Sequence, residues 1–102
     1  MTARRVRFTE TARRHVREEK TWWLENRDYT EVFAAELEVA VRLIAVLPGA
    51  GSRYETPGVP DLRRWYVPKV ACHLYYTFDD GEVLVRAFWP ARRDRVPVLS
   101  TT

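Results

Sequence analysis

Between residues 62 and 89 the chain runs through three short segments dense in β-branched and aromatic residues: LRRWYV at 62–67, VACHLYYTF at 70–78 and EVLVRAFW at 82–89. Residues of this kind suit the pleated, half-buried surface of a sheet. Asp79-Asp80-Gly81 joins the last two segments with an Asp-Gly turn signal, so these two are expected to pair as a hairpin. Strands joined this way are stable only when one face is covered, and the cover has to come from the rest of the chain.

That cover is helical. Phe33, Leu37, Val41, Ile44 and Leu47 recur at helical spacing, flanked by Ala34, Ala40 and Leu43, with Glu31, Glu36 and Glu38 toward the outside. Pro48 and Gly49 end this helix of about 30–47. Upstream, Thr9 is placed to cap a helix over 10–27, with Ala12, Val16 and Trp23 along one stripe. Asp28 and Glu31 stand at capping-box spacing for the second helix. Only two or three residues separate the helices, which predicts an antiparallel hairpin. Residues 3–8 alternate arginine with valine and phenylalanine, as in a half-exposed strand. Residues 48–61 form the one long loop, and the tail over 90–102 has no helical period. The expected architecture is a single α+β domain over residues 1–102. Its order is β-α-α-β-β-β, an antiparallel sheet packed against an N-terminal helical hairpin.

Several chemistries are excluded. No run of about 18 apolar residues crosses a membrane, and the N-terminus lacks the apolar stretch of a secretory signal. A lone cysteine, Cys72, suits a reducing cytoplasm. His15 and His73 are far apart and without paired ligands, so no metal is expected. No cofactor is expected either: Gly49-Ala50-Gly51-Ser52 lacks the lysine of a phosphate-binding loop and follows a helix. Cys72 and His73 are neighbours on a strand and point to opposite faces, which argues against a nucleophile–base pair.

The net charge of +3 hides a segregation. Residues 1–17 carry six arginines against Glu10, and residues 83–102 carry four arginines against Asp94, while the segment over 18–47 is acidic. Arg13 and Arg14 stand near the start of the first helix, where the helix dipole prefers anions. Within 70–78, Val70, Cys72, Leu74, Tyr76 and Phe78 share the expected core face, leaving Ala71, His73, Tyr75 and Thr77 on the other. Cations and aromatics collect around that second face: Arg63, Arg64, Lys69, His73, Tyr75, Arg86, Arg92, Arg93 and Arg95. Such a set can hold a nucleic-acid backbone or an acidic protein segment. It can equally be aromatic packing with arginines guarding a sheet edge.

Three stretches carry a resemblance. They are Arg63-Arg64-Trp65-Tyr66-Val67-Pro68-Lys69, then His73-Leu74-Tyr75-Tyr76, then Ala87-Phe88-Trp89-Pro90-Ala91-Arg92-Arg93-Asp94 closing on Pro97-Val98-Leu99. Together with Val6-Arg7-Phe8, Trp22-Trp23, Asn26, Phe33 and Glu36-Leu37, they resemble the RelE/ParE superfamily of toxin–antitoxin toxins, most of all its ParE (plasmid-stabilisation) branch. The resemblance spans nearly the whole chain and implies the same strand–helix–helix–three-strand fold. It also implies a cytoplasmic toxin neutralised in a hetero-oligomer by a cognate antitoxin, whose extended, often acidic segment wraps around it. ParE-like members inhibit DNA gyrase and RelE-like members are ribosome-dependent messenger-RNA endonucleases.

Metal-free RNA cleavage needs cations at the phosphate and a group to move the 2′-hydroxyl proton. RelE-like members commonly carry a Tyr or His near the C-terminus for that step, whereas Val96 to Thr102 contains neither. The gyrase reading is therefore favoured, with Arg64, Trp65, Lys69, Tyr75, Arg86, Trp89, Arg92 and Arg93 as candidate target- or antitoxin-binding residues and Trp65 or Trp89 as aromatic anchors. The alternative, an endoribonuclease acting on ribosome-bound messenger RNA, would use Arg63, Arg64, His73, Tyr75 and Arg93. A third alternative is a non-toxic member that only binds an antitoxin.

Overall fold

A computed structural model describes residues 3–28, 30–93 and 95–99. The ends of the chain, Tyr29 beside the expected Asp28 cap, and Asp94 lie outside the described residues. The elements run β1 (Arg5–Phe8), α1 (Glu10–Asn26), α2 (Thr30–Val46), β2 (Ser52–Arg53), β3 (Arg63–Val67), β4 (Cys72–Phe78) and β5 (Glu82–Pro90). Single 3-10 turns cover Pro48–Ala50 and Pro68–Val70.

Local chemistry accounts for the boundaries. The Thr9 hydroxyl accepts from the Ala12 N–H at 3.1 Å, satisfying one of the free donors that open α1. Glu10 adds a carboxylate in the first turn. At the β4–β5 hairpin, the Asp79 carboxylate accepts from the Gly81 and Glu82 N–H groups at 2.8 and 2.9 Å, an Asx-type turn that sets the register.

The five strands form one sheet in the order β1-β5-β4-β3-β2. Pairing is antiparallel from β5 to β2, whereas β1 joins β5 in parallel, so the sheet is mixed rather than wholly antiparallel. A short hairpin forces antiparallel pairing. The chain between β1 and the sheet passes through both helices, and nothing local sets its direction. Inside the expected loop over 48–61, β2 adds a two-residue strand against Arg63 and Arg64.

Both helices pack on one face. Ala12 and Trp23 of α1 and Phe33, Ala40 and Ile44 of α2 meet Leu74, Tyr76, Val83, Val85 and Phe88 of the sheet in the main core. Phe33 links the layers, with ring centroids 6.1 Å from Trp23 and 5.8 Å from Phe88. The last turn of α2 departs from the expected stripe: Leu47 is exposed, because Pro48 turns the chain toward the sheet. There Tyr76, wholly buried, donates its hydroxyl proton to the Pro48 carbonyl at 2.6 Å and accepts from the Gly51 N–H at 3.0 Å. This side chain pins the end of the helical layer to β4. A Cβ on Gly51 would lie 2.5 Å from the Tyr76 hydroxyl, so glycine is required by close approach.

Strict alternation along β4 and β5 fails at one place. The register slips between Tyr75 and Tyr76 as Tyr75 pairs with Ala87 and Tyr76 with Val85, leaving Arg86 as the extra residue of a bulge. Below the bulge, Phe78 of the expected core face is partly exposed.

Candidate functional site

The face of the sheet away from the helices presents Arg64 and Tyr66 from β3, His73, Tyr75 and Thr77 from β4, and Ala87 and Trp89 from β5, as the register requires. Sequence reasoning takes this face as open; the structure closes half of it. Val59 and Leu62 of the long loop, with Tyr54 and Leu99 packed beside them, cover Tyr75, Ala87 and Trp89 in a second small core. Tyr75 is only 3% exposed and Trp89 only 8%. Neither is free to anchor a partner, which corrects the expectation for both. A loop of turn residues is able to do this because its few apolar side chains meet a row of small and aromatic ones.

What remains accessible is the β3 end of that face. Arg64 lies 4.8 Å above the Tyr54 ring. His73 sits between Tyr66 (ring centroids 4.8 Å) and Tyr75 (6.1 Å). Burial, helped by the nearby Arg64 charge, holds the His73 imidazole below its usual pKa, so it is neutral at pH 7. Tyr66 is 43% exposed. These residues open into a cleft of about 590 Å³ between β3 and α2, whose α2 wall is Glu36, Val39 and Leu43. Beyond Arg64 no strand pairs the outer edge of β3 among the described residues, because β2 reaches only Arg63 and Arg64. The cleft thus joins an unpaired strand edge to an apolar wall.

The remaining predicted residues are dispersed. Arg63 donates to the carbonyls of Gly49 and Gly51 at 3.3 and 2.8 Å, holding the loop after α2 against the sheet. Lys69 pairs with Glu36 at 3.4 Å. Arg86, at the bulge, donates to the Thr77 hydroxyl at 3.1 Å. Trp65 alone of these joins Arg64 at the cleft: it packs partly buried against the main core and lines the cleft as well.

Arg92 and Arg93, adjacent in sequence, part company. Arg92 makes a two-pronged bond to both carboxylate oxygens of Glu19, each at 2.8 Å, and lies 3.8 Å above the Trp22 ring. Arg93 instead lies 4.6 Å above the Trp89 ring. Arg95 lies on that ring too, at 5.7 Å. Its carbonyl accepts from the Trp89 indole N–H at 2.8 Å.

Two buried polar residues escaped sequence reasoning. Glu19 is 1% exposed, and His15, also buried, accepts from the Phe88 N–H through Nδ1 at 3.3 Å. The signal was available: 12, 15, 19 and 23 form one helical stripe, and a carboxylate on a core-facing stripe demands a buried cation. Cys72 is fully buried, and desolvation, with the adjacent Glu19 carboxylate adding to it, drives its thiol pKa far above the ordinary value. That thiol is a structural apolar group and not a nucleophile. No His, Cys, Asp or Glu cluster able to hold a metal occurs among the described residues, and no described helix is long and apolar enough to cross a membrane.

No protein-family model matches the sequence, and a search of curated proteins returns no match. Solved structures do match. One chain, described as "Chromosomal ParDE TA system from P. aeruginosa", has a TM-score of 0.69 over 86% of this chain and 96% of its own length, at 9% identity. The fold is ParE-like. At that identity the likeness is one of architecture.

Proposed function

We propose that this chain, as a single domain, is the toxin of a cytoplasmic toxin–antitoxin module, silenced by an antitoxin and acting by inhibiting DNA gyrase. The reading rests on one observation, the likeness of nearly the whole chain to a chain of a ParDE system. The antitoxin would dock at the cleft beside β3. An extended segment adding to an open strand edge gains main-chain hydrogen bonds, while alternate side chains find the apolar wall of Val39 and Leu43. Arg64 at the mouth favours acidic side chains in that segment.

The gyrase reading is favoured by how the nuclease set is used. Arg63 is committed to loop carbonyls and Tyr75 is covered, so two of the five residues are unavailable to an RNA phosphate. A supercoiling assay with purified gyrase tests it: inhibition or a trapped cleavage complex at micromolar toxin is expected, and neither appearing refutes it.

A second reading has one observation in its favour. His73 is neutral, partly accessible and adjacent to Arg64, which is the pairing of general base and cation that RNA cleavage uses. Cleavage of messenger RNA in a translation extract, abolished by His73→Ala with the fold intact, establishes this reading in place of the first.

A further inference from the structure

The two cationic ends of the chain, far apart in sequence, meet in the fold. Arg14 and Glu18 on α1 face Arg93 and Arg95 of the tail across a cleft of about 430 Å³, with His15 and Trp89 on its walls. His15 and Trp89 stack edge to face at 5.1 Å, and Arg93 and Arg95 both lie over the Trp89 ring. Guanidinium groups already held on an indole lose less freedom when they bind a ligand.

Among the described residues no carboxylate lies within ion-pair distance of Arg93 or Arg95, and Arg14 has only a loose contact with Glu18 at 3.9 Å. Burial first, and then the Arg14 and Arg93 charges against the opposing Glu18, hold the His15 imidazole below its usual pKa, which places both arginines close to it. Arg13 and Arg17 continue the cationic surface along the exposed side of α1.

We propose that this cleft binds the phosphodiester backbone of a nucleic acid, with Arg14, Arg93 and Arg95 as the phosphate contacts. Arginine forks match phosphate oxygens two at a time. An acidic peptide is the competing occupant, because exposed Val96 and Val98 share the lining; the density of cations favours the regularly spaced charge of a phosphodiester. Binding is sequence-independent, since nothing in the cleft reads base edges. The site lies apart from the β3 cleft and does not depend on the toxin reading.

Fluorescence anisotropy with labelled duplex and single-stranded oligonucleotides, between about 50 and 200 mM salt, tests the proposal. Three phosphate contacts predict a log–log salt slope of about −2.7 for duplex and about −2 for single strands. Arg93→Ala with Arg95→Ala should flatten the duplex slope by about 1.8, while the corresponding lysine pair retains most of it. A control of equal charge loss, Arg42→Ala with Arg53→Ala, removes exposed arginines elsewhere and should leave the slope unchanged. Thermal unfolding confirms that each variant is folded.

The proposal fails if neither oligonucleotide binds at low salt. It fails if the control pair weakens binding as much as the tail pair. It also fails if an acidic peptide binds through the tail arginines when the oligonucleotides do not.

Discussion

Replacing Arg92 by alanine removes the ion-pair partner that Glu19, a carboxylate 1% exposed, has among the described residues. Glu19 would keep both oxygens inside the fold with the two 2.8 Å bonds gone. Removing one partner of a buried pair costs about 3–5 kcal/mol, mostly because the survivor is left uncompensated. The Arg92 side chain is itself 36% exposed, so water reaches the site once the guanidinium leaves, and the lower end applies. A loss of about 3 kcal/mol lowers Tm by roughly 12–20 °C for a domain of this length.

Arg93→Ala is the internal comparison. It removes an accessible contact with one indole, worth about 0.5–1 kcal/mol. Urea and thermal unfolding of both variants measure the difference. Adding Glu19→Gln to Arg92→Ala should recover part of the loss, because the stranded group is then neutral, giving a coupling of about 2 kcal/mol or more in a double-mutant cycle. Equal effects of Arg92→Ala and Arg93→Ala, or strict additivity with Glu19→Gln, would refute the reasoning. One consequence reaches function: a loss of toxicity in Arg92→Ala reports unfolding, whereas Arg93→Ala reports binding.

Tyr76→Phe strips the donor from Pro48 and the acceptor from Gly51, and is expected to cost about 1–3 kcal/mol in urea unfolding; a neutral result would show that water replaces both bonds. His15 and His73 have folded pKa values below 6.5, so the folded chain binds fewer protons than the unfolded one just below that pH. Their contribution is intact above pH 6.5 and is lost as pH falls toward the folded values. Tm should therefore drop between pH 7.5 and 5.5, and drop less in His73→Gln; an unchanged or rising Tm contradicts the assignment. The Cys72 thiol should react with a disulfide reagent at pH 8 only as fast as the chain opens, and immediate stoichiometric labelling of the native protein would place it at the surface.

The elements whose signals are local were legible in the chain. Thr9 capping α1, the stripe through Phe33 and Ile44, and the Asp79–Gly81 turn each follow from residues a few positions apart. Legibility stopped where a partner lay far off. The parallel pairing of β1 joins residues more than seventy positions apart, and no local term encodes it. The bulge at Arg86 shifts one strand against another, which period-two reasoning along a single strand cannot register. The candidate site suffered most, because the residue types were read correctly and their neighbours were not. Tyr75 and Trp89 look like an open aromatic platform until the 54–62 loop and Leu99 are laid over them.

Charge shows the division most clearly. That arginine concentrates at both chain ends around an acidic middle is plain from the order of residues alone, since composition along a chain needs no fold. What each arginine does was set by folding. It sent Arg92 inward to neutralise Glu19, set Arg63 to hold carbonyls of a loop, and left Arg93 and Arg95 facing Arg14 across a cleft. The reason is physical: a charge acts through its distance to other charges and to water, and the folded backbone sets both.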